Sequence, residues 1–179
     1  GKFDGYIYLT DAMKEVINPD KPYTVVEGIA NVDELSAVPD FEKATPKAVM
    51  YAGRLNEKYG IMDLVSAFGR IENENIALWL FGNGNCVDKI EKCCVEDKRI
   101  RYFGNVSRDE VLKYQRQATL LVNVRKDKDE YTKYSFPSKT IEYMASGTPL
   151  LTSALSGIPK EYYDYVFRID ETDTDTISS

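Results

Sequence analysis

One stretch of the chain indicates its fold most clearly: Phe136-Pro137-Ser138-Lys139-Thr140-Ile141-Glu142-Tyr143-Met144-Ala145-Ser146-Gly147-Thr148-Pro149-Leu150-Leu151. It predicts the end of a loop, a short helix and a buried strand. Pro137 and Ser138 favour the start of the helix, and Gly147 with Pro149 favours its end. Helical spacing predicts that three of its apolar residues face a core, namely Ile141, Met144 and Ala145.

Glu142 does not fit that apolar face. It lies near Lys139 in the first turns, where free backbone N–H groups and the helix dipole favour an anion. A capping box places its acid three residues after the cap, but Ile141 holds that position relative to Ser138. A serine, a lysine and a nearby carboxylate at a helix start can hold a phosphate and a hydroxylated sugar together. The alternative is that Ser138 is only an N-cap and Glu142 only a surface residue.

Strand patterns alternate with helix patterns from residue 47 onward. The predicted strands cover residues 48–52, 76–81, 99–103, 119–124, 149–152 and 165–169. Helices are predicted to start near residues 61, 87, 107, 138 and 159. This alternation predicts an α/β fold with one parallel sheet of about six strands and helices on both faces. Ligands of such sheets bind beyond the carboxyl ends of the strands, where the strand order reverses.

Residues 1–46 follow a different pattern. A strand–helix–strand unit is predicted from residues 6–10, a helix from about residue 11, and residues 23–26. Residues 1–30 are therefore interpreted as the end of a preceding domain or an appendage, 31–46 as a linker, and 47–179 as the main domain. Both ends of the chain are expected to be boundaries within a longer protein, with the main domain truncated at its C-terminus.

Composition excludes several classes of function. The formal net charge is −6, which argues against a nucleic-acid footprint. The chain contains no histidine, which excludes Ser-His and Cys-His catalysis and histidine-ligated metals. The cysteines, Cys86, Cys93 and Cys94, fit no zinc pattern and are expected to be reduced thiols. Neither a signal peptide nor a membrane-spanning run is apparent, so a cytoplasmic location is expected, with peripheral attachment to the inner membrane surface left open.

Two glycine-bounded loops follow predicted strands. The first runs from Gly53 to Gly60 and contains Arg54 and Lys58, two cations that suit a diphosphate. The alternative for this loop is a solvated surface turn. The second is Gly82-Asn83-Gly84, which lacks the third glycine and the distant acid of a dinucleotide fingerprint. NAD binding is therefore disfavoured.

Four motifs, in this order, resemble the retaining glycosyltransferases of the glycogen-synthase-like group. They are Tyr51-Ala52-Gly53-Arg54-Leu55 with Glu57-Lys58-Tyr59-Gly60, Leu78-Trp79-Leu80-Phe81-Gly82-Asn83-Gly84, Tyr102-Phe103-Gly104-Asn105-Val106-Ser107, and the stretch from Phe136 to Pro149. The resemblance covers about residues 47–170 and implies a Rossmann-like domain, the C-terminal half of a GT-B fold, which binds the nucleotide sugar. Residues 1–30 resemble the last strand–helix–strand of the N-terminal domain.

The resemblance also implies roles for individual residues. Arg54 and Lys58 would contact the donor diphosphate and stabilise the departing nucleoside diphosphate, with no metal and no cofactor required. The donor-binding residues would be Gly53, Asn105, Val106, Tyr134, Ser138, Lys139 and Glu142. Among these, Ser138 and Lys139 would hold phosphate, Glu142 would accept hydrogen bonds from the ribose hydroxyls, and Asn105 and Val106 would lie near the base.

Tyr134 marks a departure from the family pattern. Many members carry two glutamates separated by seven residues, and the first contacts the transferred sugar. Counting back from Glu142, that position holds Tyr134, while Asp129 and Glu130 lie nearby in the same loop. The sugar contact is therefore left open between Tyr134 and these two acids.

The function implied is donor binding in a retaining glycosyltransferase that uses a nucleoside-diphosphate sugar. The acceptor, a saccharide or a lipid-linked glycan, would be held by the missing N-terminal domain, so this chain alone is expected to transfer no sugar. Two alternatives remain: a non-catalytic nucleotide-sugar-binding module and a GT-B nucleotide-sugar epimerase. Nucleic acid is not an expected partner.

Overall fold

The computed structural model describes residues 3–17, 20–31, 33–34, 38–125, 130–170 and 174–178. The strands are β1 Tyr6–Tyr8, β2 Tyr23–Val25, β3 Lys47–Ala52, β4 Ile76–Phe81, β5 Ile100–Gly104, β6 Leu120–Asn123, β7 Leu150–Ser153 and β8 Phe167–Ile169. The α-helices are α1 Ile61–Gly69, α2 Val87–Glu96, α3 Arg108–Gln117, α4 Ser138–Ala145 and α5 Thr174–Ser178. Short 3-10 helices cover Asp11–Glu15, Glu57–Tyr59, Glu130–Tyr134 and Lys160–Asp164.

Six strands form one parallel sheet in the order β5-β4-β3-β6-β7-β8. Successive strands first add outward from β3 to β5, and the chain then returns to place β6 on the other side of β3. The strand order therefore reverses between β3 and β6, where a ligand crevice is expected. The predicted parallel sheet of six strands is confirmed.

The core lies on both faces of this sheet. On one face, α1 and α2 pack their apolar side chains against β3, β4 and β6 in a buried cluster that includes Leu64, Phe68 and Ile90. On the other face, a second cluster joins Met50, Trp79 and Tyr143. The prediction of helices on both faces is also confirmed, because α3 and α4 contribute to this second cluster.

The capping box at the start of α3 is present as predicted. The Ser107 hydroxyl accepts a hydrogen bond from the Glu110 backbone N–H, and the Glu110 carboxylate accepts one from the Ser107 backbone N–H. Two orphan donors of the helix start are thereby satisfied. This fixes where α3 begins and hence where Arg108, its first residue, lies.

One prediction about α4 is wrong in part. Ile141 and Met144 are partly buried and pack against the core, as predicted, but Ala145 is exposed. Thr140 and Tyr143 are buried, and their hydroxyls bond to strand ends. Apolar spacing alone could not reveal that arrangement.

The N-terminal unit forms a separate two-stranded parallel sheet of β1 and β2. The predicted strand–helix–strand order is present, although the connecting helix is a 3-10 helix. The unit contacts the main domain through Thr10, whose hydroxyl donates to the carbonyl of Lys133 at 2.8 Å. Its assignment to a preceding domain stays a prediction.

Candidate functional site

Two adjacent cavities lie at the carboxyl ends of the strands near the reversal point. The first, here called the basic cavity, has a volume of about 200 Å³ and contains three cations, Arg54, Arg125 and Lys139. The second, here called the glutamate cavity, has a volume of about 310 Å³ and contains Arg108 and Glu142 beside Gly53, Phe81, Asn105 and Val106. Lys139 lines both cavities. A single ligand could therefore contact both by passing this lysine.

Helix α4 is fixed to the ends of β3 and β6. The fully buried Tyr143 hydroxyl accepts from the Ala52 N–H at 2.9 Å and donates to the Ala52 carbonyl at 3.1 Å. The amide of Asn123, the last residue of β6, donates to the hydroxyl of Thr140 at 3.4 Å. These bonds place the first turn of α4 between the two strands at which the sheet order reverses.

The start of α4 carries no side-chain cap. Pro137 is the N-cap residue and Ser138 is the first helical residue, with an exposed side chain. The alternative in which Ser138 is an N-cap is therefore wrong. Backbone N–H groups at a helix start attract anions, and this start faces the basic cavity, whose lining includes both Pro137 and Ser138.

Lys139 lies across Gly53. A methyl group placed on Gly53 would lie 2.5 Å from Cε of Lys139 and 3.0 Å from its Nζ, so any larger residue at 53 would displace the lysine. Burial lowers the pKa of Lys139, the Glu142 carboxylate opposes that shift and Arg108 adds to it. Within the described ranges, no carboxylate lies within ion-pair distance of this amine. Lys139 is thus a poorly solvated cation with its donors available to a ligand.

The loop after β3 presents Arg54 but not Lys58 to the cavities. The Tyr51 hydroxyl donates to the Arg54 carbonyl at 3.1 Å, and burial raises the pKa of Tyr51 to about 12, so the hydroxyl stays protonated. Arg54 and Tyr59 line the basic cavity. The Lys58 side chain is exposed, lines neither cavity, and its Nζ lies 5.0 Å from the ring centroid of Tyr59. The role implied for Lys58 stays a prediction.

The glycines of Gly82-Asn83-Gly84 serve loop packing. Gly82 has φ of +117°, which favours glycine, and a Cβ there would overlap the carbonyl oxygen of Gly53. The Asn83 carbonyl accepts from the Leu55 N–H at 2.9 Å. The motif therefore lets the loops after β3 and β4 lie close together, which accounts for it without a dinucleotide.

Glu142 is held by two donors. Its Oε1 accepts from Gln115 Nε2 at 2.8 Å, and its Oε2 accepts from an Arg108 guanidinium nitrogen at 3.0 Å. Its side chain is 24% exposed, so it lies at the mouth of the glutamate cavity and is more than a solvated surface residue. Asn105 and Val106 line the same cavity, and the implied position of these two residues near a nucleotide base stays a prediction.

Tyr134 lies away from both cavities. Its hydroxyl is 3.4 Å from Oε2 of Glu15, and the amine of Lys133 lies 4.8 Å from its ring centroid. Asp129 falls outside the described residues, and Glu130 begins the 3-10 helix Glu130–Tyr134. The sugar contact proposed for this loop stays a prediction.

Arg125 is a cation that the sequence reasoning missed. It follows β6 as Arg54 follows β3, so its place after a strand was the available signal. Its guanidinium lies 5.2 Å from the ring centroid of Tyr59 and 5.9 Å from that of Tyr131, whose hydroxyl is 3.2 Å away. Its backbone N–H donates to Ser153 Oγ at 2.8 Å. Two aromatic rings thus restrain this side chain beside the basic cavity.

The family model described as Glycosyl transferases group 1 matches residues 46–176. The chain belongs to this family, which confirms the resemblance to glycosyltransferases inferred from the four motifs, while the retaining mechanism stays a prediction. In the described part of the chain, no helix is long and apolar enough to cross a membrane.

Curated relatives share a moderate likeness over part of the chain. Probable glycosyltransferase WbjE of Pseudomonas aeruginosa is 28% identical over 104 residues, which covers 52% of this chain and 26% of that protein. Uncharacterized glycosyltransferase MJ1607 of Methanocaldococcus jannaschii is 28% identical over 116 residues, which covers 63% of this chain and 28% of the relative. The chain thus spans about a quarter of the length of these relatives.

Solved structures confirm the fold. Sucrose-phosphate synthase from Thermosynechococcus elongatus matches with a TM-score of 0.70 at 21% identity, over 98% of this chain and 47% of that one. The lipopolysaccharide outer core galactosyltransferase WaaB matches with a TM-score of 0.65 at 22% identity, over 88% and 45%. Anabaena HepE, solved with UDP and glucose, matches with a TM-score of 0.67 at 12% identity, over 96% and 50%. The sheet is therefore the Rossmann-like half of a GT-B fold.

Proposed function

We propose that this chain is the donor-binding domain of a retaining glycosyltransferase that transfers a sugar from a nucleoside-diphosphate sugar to an acceptor. The observation that carries the proposal is the meeting of the basic cavity and the glutamate cavity at Lys139. Each cavity is near or below the lower end of the roughly 300–1,000 Å³ typical of ligand sites. A ligand with a charged part and a hydroxylated part would fill both.

The diphosphate would occupy the basic cavity. Arg54 and Arg125 follow the two strands at the reversal point, and Lys139 approaches from α4. Cleavage of the bond to the sugar leaves an additional negative charge on the departing nucleoside diphosphate. Fixed cations and the N–H groups of the α4 start would stabilise that charge as it develops. This electrostatic arrangement supports a reaction without a required metal or cofactor.

The nucleoside would occupy the glutamate cavity. Each oxygen of Glu142 accepts one protein hydrogen bond, and a carboxylate oxygen can accept a second. The ribose hydroxyls would donate to these remaining lone pairs. The base would lie beside Asn105, Val106 and Phe81. Ribose would thus be read by charge-assisted hydrogen bonds, and the base mainly by shape.

UDP is the first nucleotide to test. HepE and the pneumococcal O-GlcNAc transferase GtfA, both of which share this fold, were solved with UDP. Because the chain spans about a quarter of its curated relatives, the acceptor saccharide or lipid-linked glycan would be held by another part of the protein. The cysteines Cys86, Cys93 and Cys94 are free thiols, which supports a cytoplasmic location, with attachment at the inner membrane surface as an extension of it.

Calorimetry with UDP, UMP and uridine tests the proposal. UDP is expected to bind more tightly than UMP, and uridine least, because the cations recognise the diphosphate. Arg54→Gln and Arg125→Gln should each weaken UDP binding by about 10- to 100-fold, the cost of a lost charge-assisted hydrogen bond. Arg101→Gln is the matched control, since this arginine is exposed on β5 and lines neither cavity.

Two outcomes would contradict the proposal. One is no binding of UDP, GDP or ADP by the chain at concentrations up to the millimolar range. The other is equal affinity for UDP and uridine, which would leave the three cations without a role. The UDP affinity of the control variant, Arg101→Gln, should stay within about twofold of wild type, as is usual for a surface substitution.

A non-catalytic binding module is the second candidate. Among the described residues that line the basic cavity, there is no carboxylate that could act on the sugar. Turnover separates the two functions: the longer protein should release UDP from a UDP-sugar only when an acceptor is present. The chain alone is expected to bind the nucleotide and transfer no sugar, and robust transfer by the chain alone would show that no other part of the protein is needed for the reaction.

A further inference from the structure

Arg108 lies between two carboxylates at the start of α3. One guanidinium nitrogen donates to Oε2 of Glu142 at 3.0 Å, while Nε and the other terminal nitrogen donate to the two oxygens of Glu34 at 2.7 and 3.1 Å. The contact with Glu34 is a forked pair, which fixes the plane of the guanidinium. Arg108 therefore connects the segment before the main domain to the glutamate cavity, which it also lines.

Gln115 holds the other oxygen of Glu142. Gln115 is fully buried and lies about two helical turns after Arg108 on the same face of α3. Its Nε2 donates to Oε1 of Glu142 at 2.8 Å. Its amide cannot turn over, because that would set Oε1 of Gln115 against the carboxylate. Two donors on α3 thus fix both oxygens of one carboxylate on α4, which leaves Glu142 with one orientation.

This orientation keeps Glu142 from pairing with Lys139. The two residues share the glutamate cavity, and in the described part of the chain they form no ion pair within 4.0 Å. A carboxylate without Arg108 would turn to the nearest poorly solvated cation, and that cation is Lys139. Such a pair would occupy both the ribose acceptor and the phosphate donor of the proposed site.

We propose that Arg108 is a positioning residue that acts through Glu142 to make ribose recognition possible, and that Glu34 holds Arg108 in place for this task. The inference rests on the proposed function, because it needs a nucleotide in the glutamate cavity. It assigns to α3 and to Glu34 a part in donor binding, although Arg108 and Glu34 need not touch the donor. Ribose recognition then depends on the position of the segment that precedes the main domain.

Binding of UDP and 2′,3′-dideoxy-UDP, measured by calorimetry on the whole chain, tests this role. Wild type is expected to prefer UDP by about tenfold or more, the value of hydrogen bonds to a carboxylate. Arg108→Gln should bring that preference close to one, and its affinity for the dideoxy nucleotide should also fall, because the released carboxylate of Glu142 pairs with Lys139. Glu142→Gln should remove the preference without that fall, because no carboxylate is left to pair with the lysine. The double variant should therefore behave like Glu142→Gln.

Two further variants sharpen the test. Glu34→Gln should lower the preference by a smaller factor, about two- to fivefold, because Arg108 keeps its bond to Glu142. Arg116→Gln is the matched control: this arginine also lies on α3 and pairs with Asp40 at 2.7 Å, and neither residue lines a described cavity at the site. The preference for UDP should be unchanged in that variant.

The outcomes separate this inference from the proposed function. If wild type prefers UDP and Arg108→Gln keeps that preference, the positioning role is overturned while nucleotide binding stands. Equal losses for both nucleotides together with a lower melting temperature would make Arg108 a structural residue and also overturn the role. If wild type binds both nucleotides equally, Glu142 does not read ribose, and the role of Arg108 falls with it.

Discussion

Helix α4 and the 3-10 helix Glu130–Tyr134 are close in sequence but are anchored to different parts of the molecule. The first is tied to the main sheet through Tyr143 and Ala52. The second is tied to the N-terminal unit through Lys133, whose amine lies 2.9 Å from the Glu15 carboxylate. The two segments are therefore anchored differently, although Tyr131 of the second segment also contacts Arg125 of the main domain.

This difference explains which side chains form the site. Tyr143 and Tyr134 are the same residue type, yet one uses its hydroxyl on a strand end and is fully buried, and the other faces Glu15. The segment fixed to the sheet presents Lys139 and Glu142 to the cavities. In the segment fixed to the N-terminal unit, none of the described side chains lines either cavity. Anchoring, more than proximity in sequence, decides which residues share the site.

The largest expected effect is on stability, from tyrosine substitutions in the two segments. Tyr143→Ala should lower the free energy of unfolding by about 3–5 kcal/mol, because it leaves a large cavity and removes both bonds to Ala52. Tyr134→Ala should cost about 1 kcal/mol or less, because its hydroxyl contact with Glu15 is long and exposed. Urea unfolding measures both, and equal losses would mean that the two segments are anchored alike.

A smaller effect is expected on nucleotide affinity, from lysine substitutions in the same two segments. Lys139→Met should weaken UDP binding by about 10- to 100-fold, the value of a hydrogen bond to a charged group. Lys133→Met removes an equal charge, but it should leave UDP affinity within about twofold and cost at most about 1 kcal/mol of stability, as for an exposed ion pair. Calorimetry compares them, and a similar loss of affinity in both variants would contradict the separation.

The lowered pKa of Lys139 also predicts that UDP binding depends on pH. Burial lowers its pKa in the free protein, and contact with a diphosphate would raise it again. Between these two pKa values the complex holds a proton that the free protein lacks, so UDP affinity should fall by at most about tenfold per pH unit as the pH rises through that window. Below the pKa that Lys139 has in the free protein, UDP affinity should no longer depend on the protonation of this lysine. Calorimetry in buffers of different ionisation enthalpy would detect proton uptake, and Lys139→Met should abolish it.

The smallest effect is expected from Tyr134→Phe. UDP affinity should stay within about twofold, because Tyr134 lines neither cavity. In the longer protein, a loss of sugar transfer at unchanged UDP affinity would assign its hydroxyl to the sugar. A weaker UDP affinity would instead place this segment in the nucleotide site and contradict the comparison with α4.

The sequence was sufficient to predict the sheet and some of the residues that line the two cavities. The order of strands and helices could be predicted because its signals are local in sequence. These signals are short apolar strands that end at glycine and the capping box at Ser107. Gly53, Arg54, Lys139 and Glu142 follow from strand ends and a helix start, which parallel topology brings together. The contacts of Glu142 with α3 could not be inferred in this way, since they depend on how two helices pack across the sheet. The error at Ala145 has a related cause, because polar anchoring overrode apolar spacing in α4.

Amide NMR spectra of the chain recorded during a titration with UDP test the central claim most directly. The claim is that the start of α4, fixed between β3 and β6, binds the nucleotide together with the loop after β3. The largest shifts are predicted for the amides of Gly53, Ser138, Lys139 and Glu142, while the amide of Tyr134 should change little. No shift at the start of α4, or larger shifts around Tyr134 and Lys133, would contradict it.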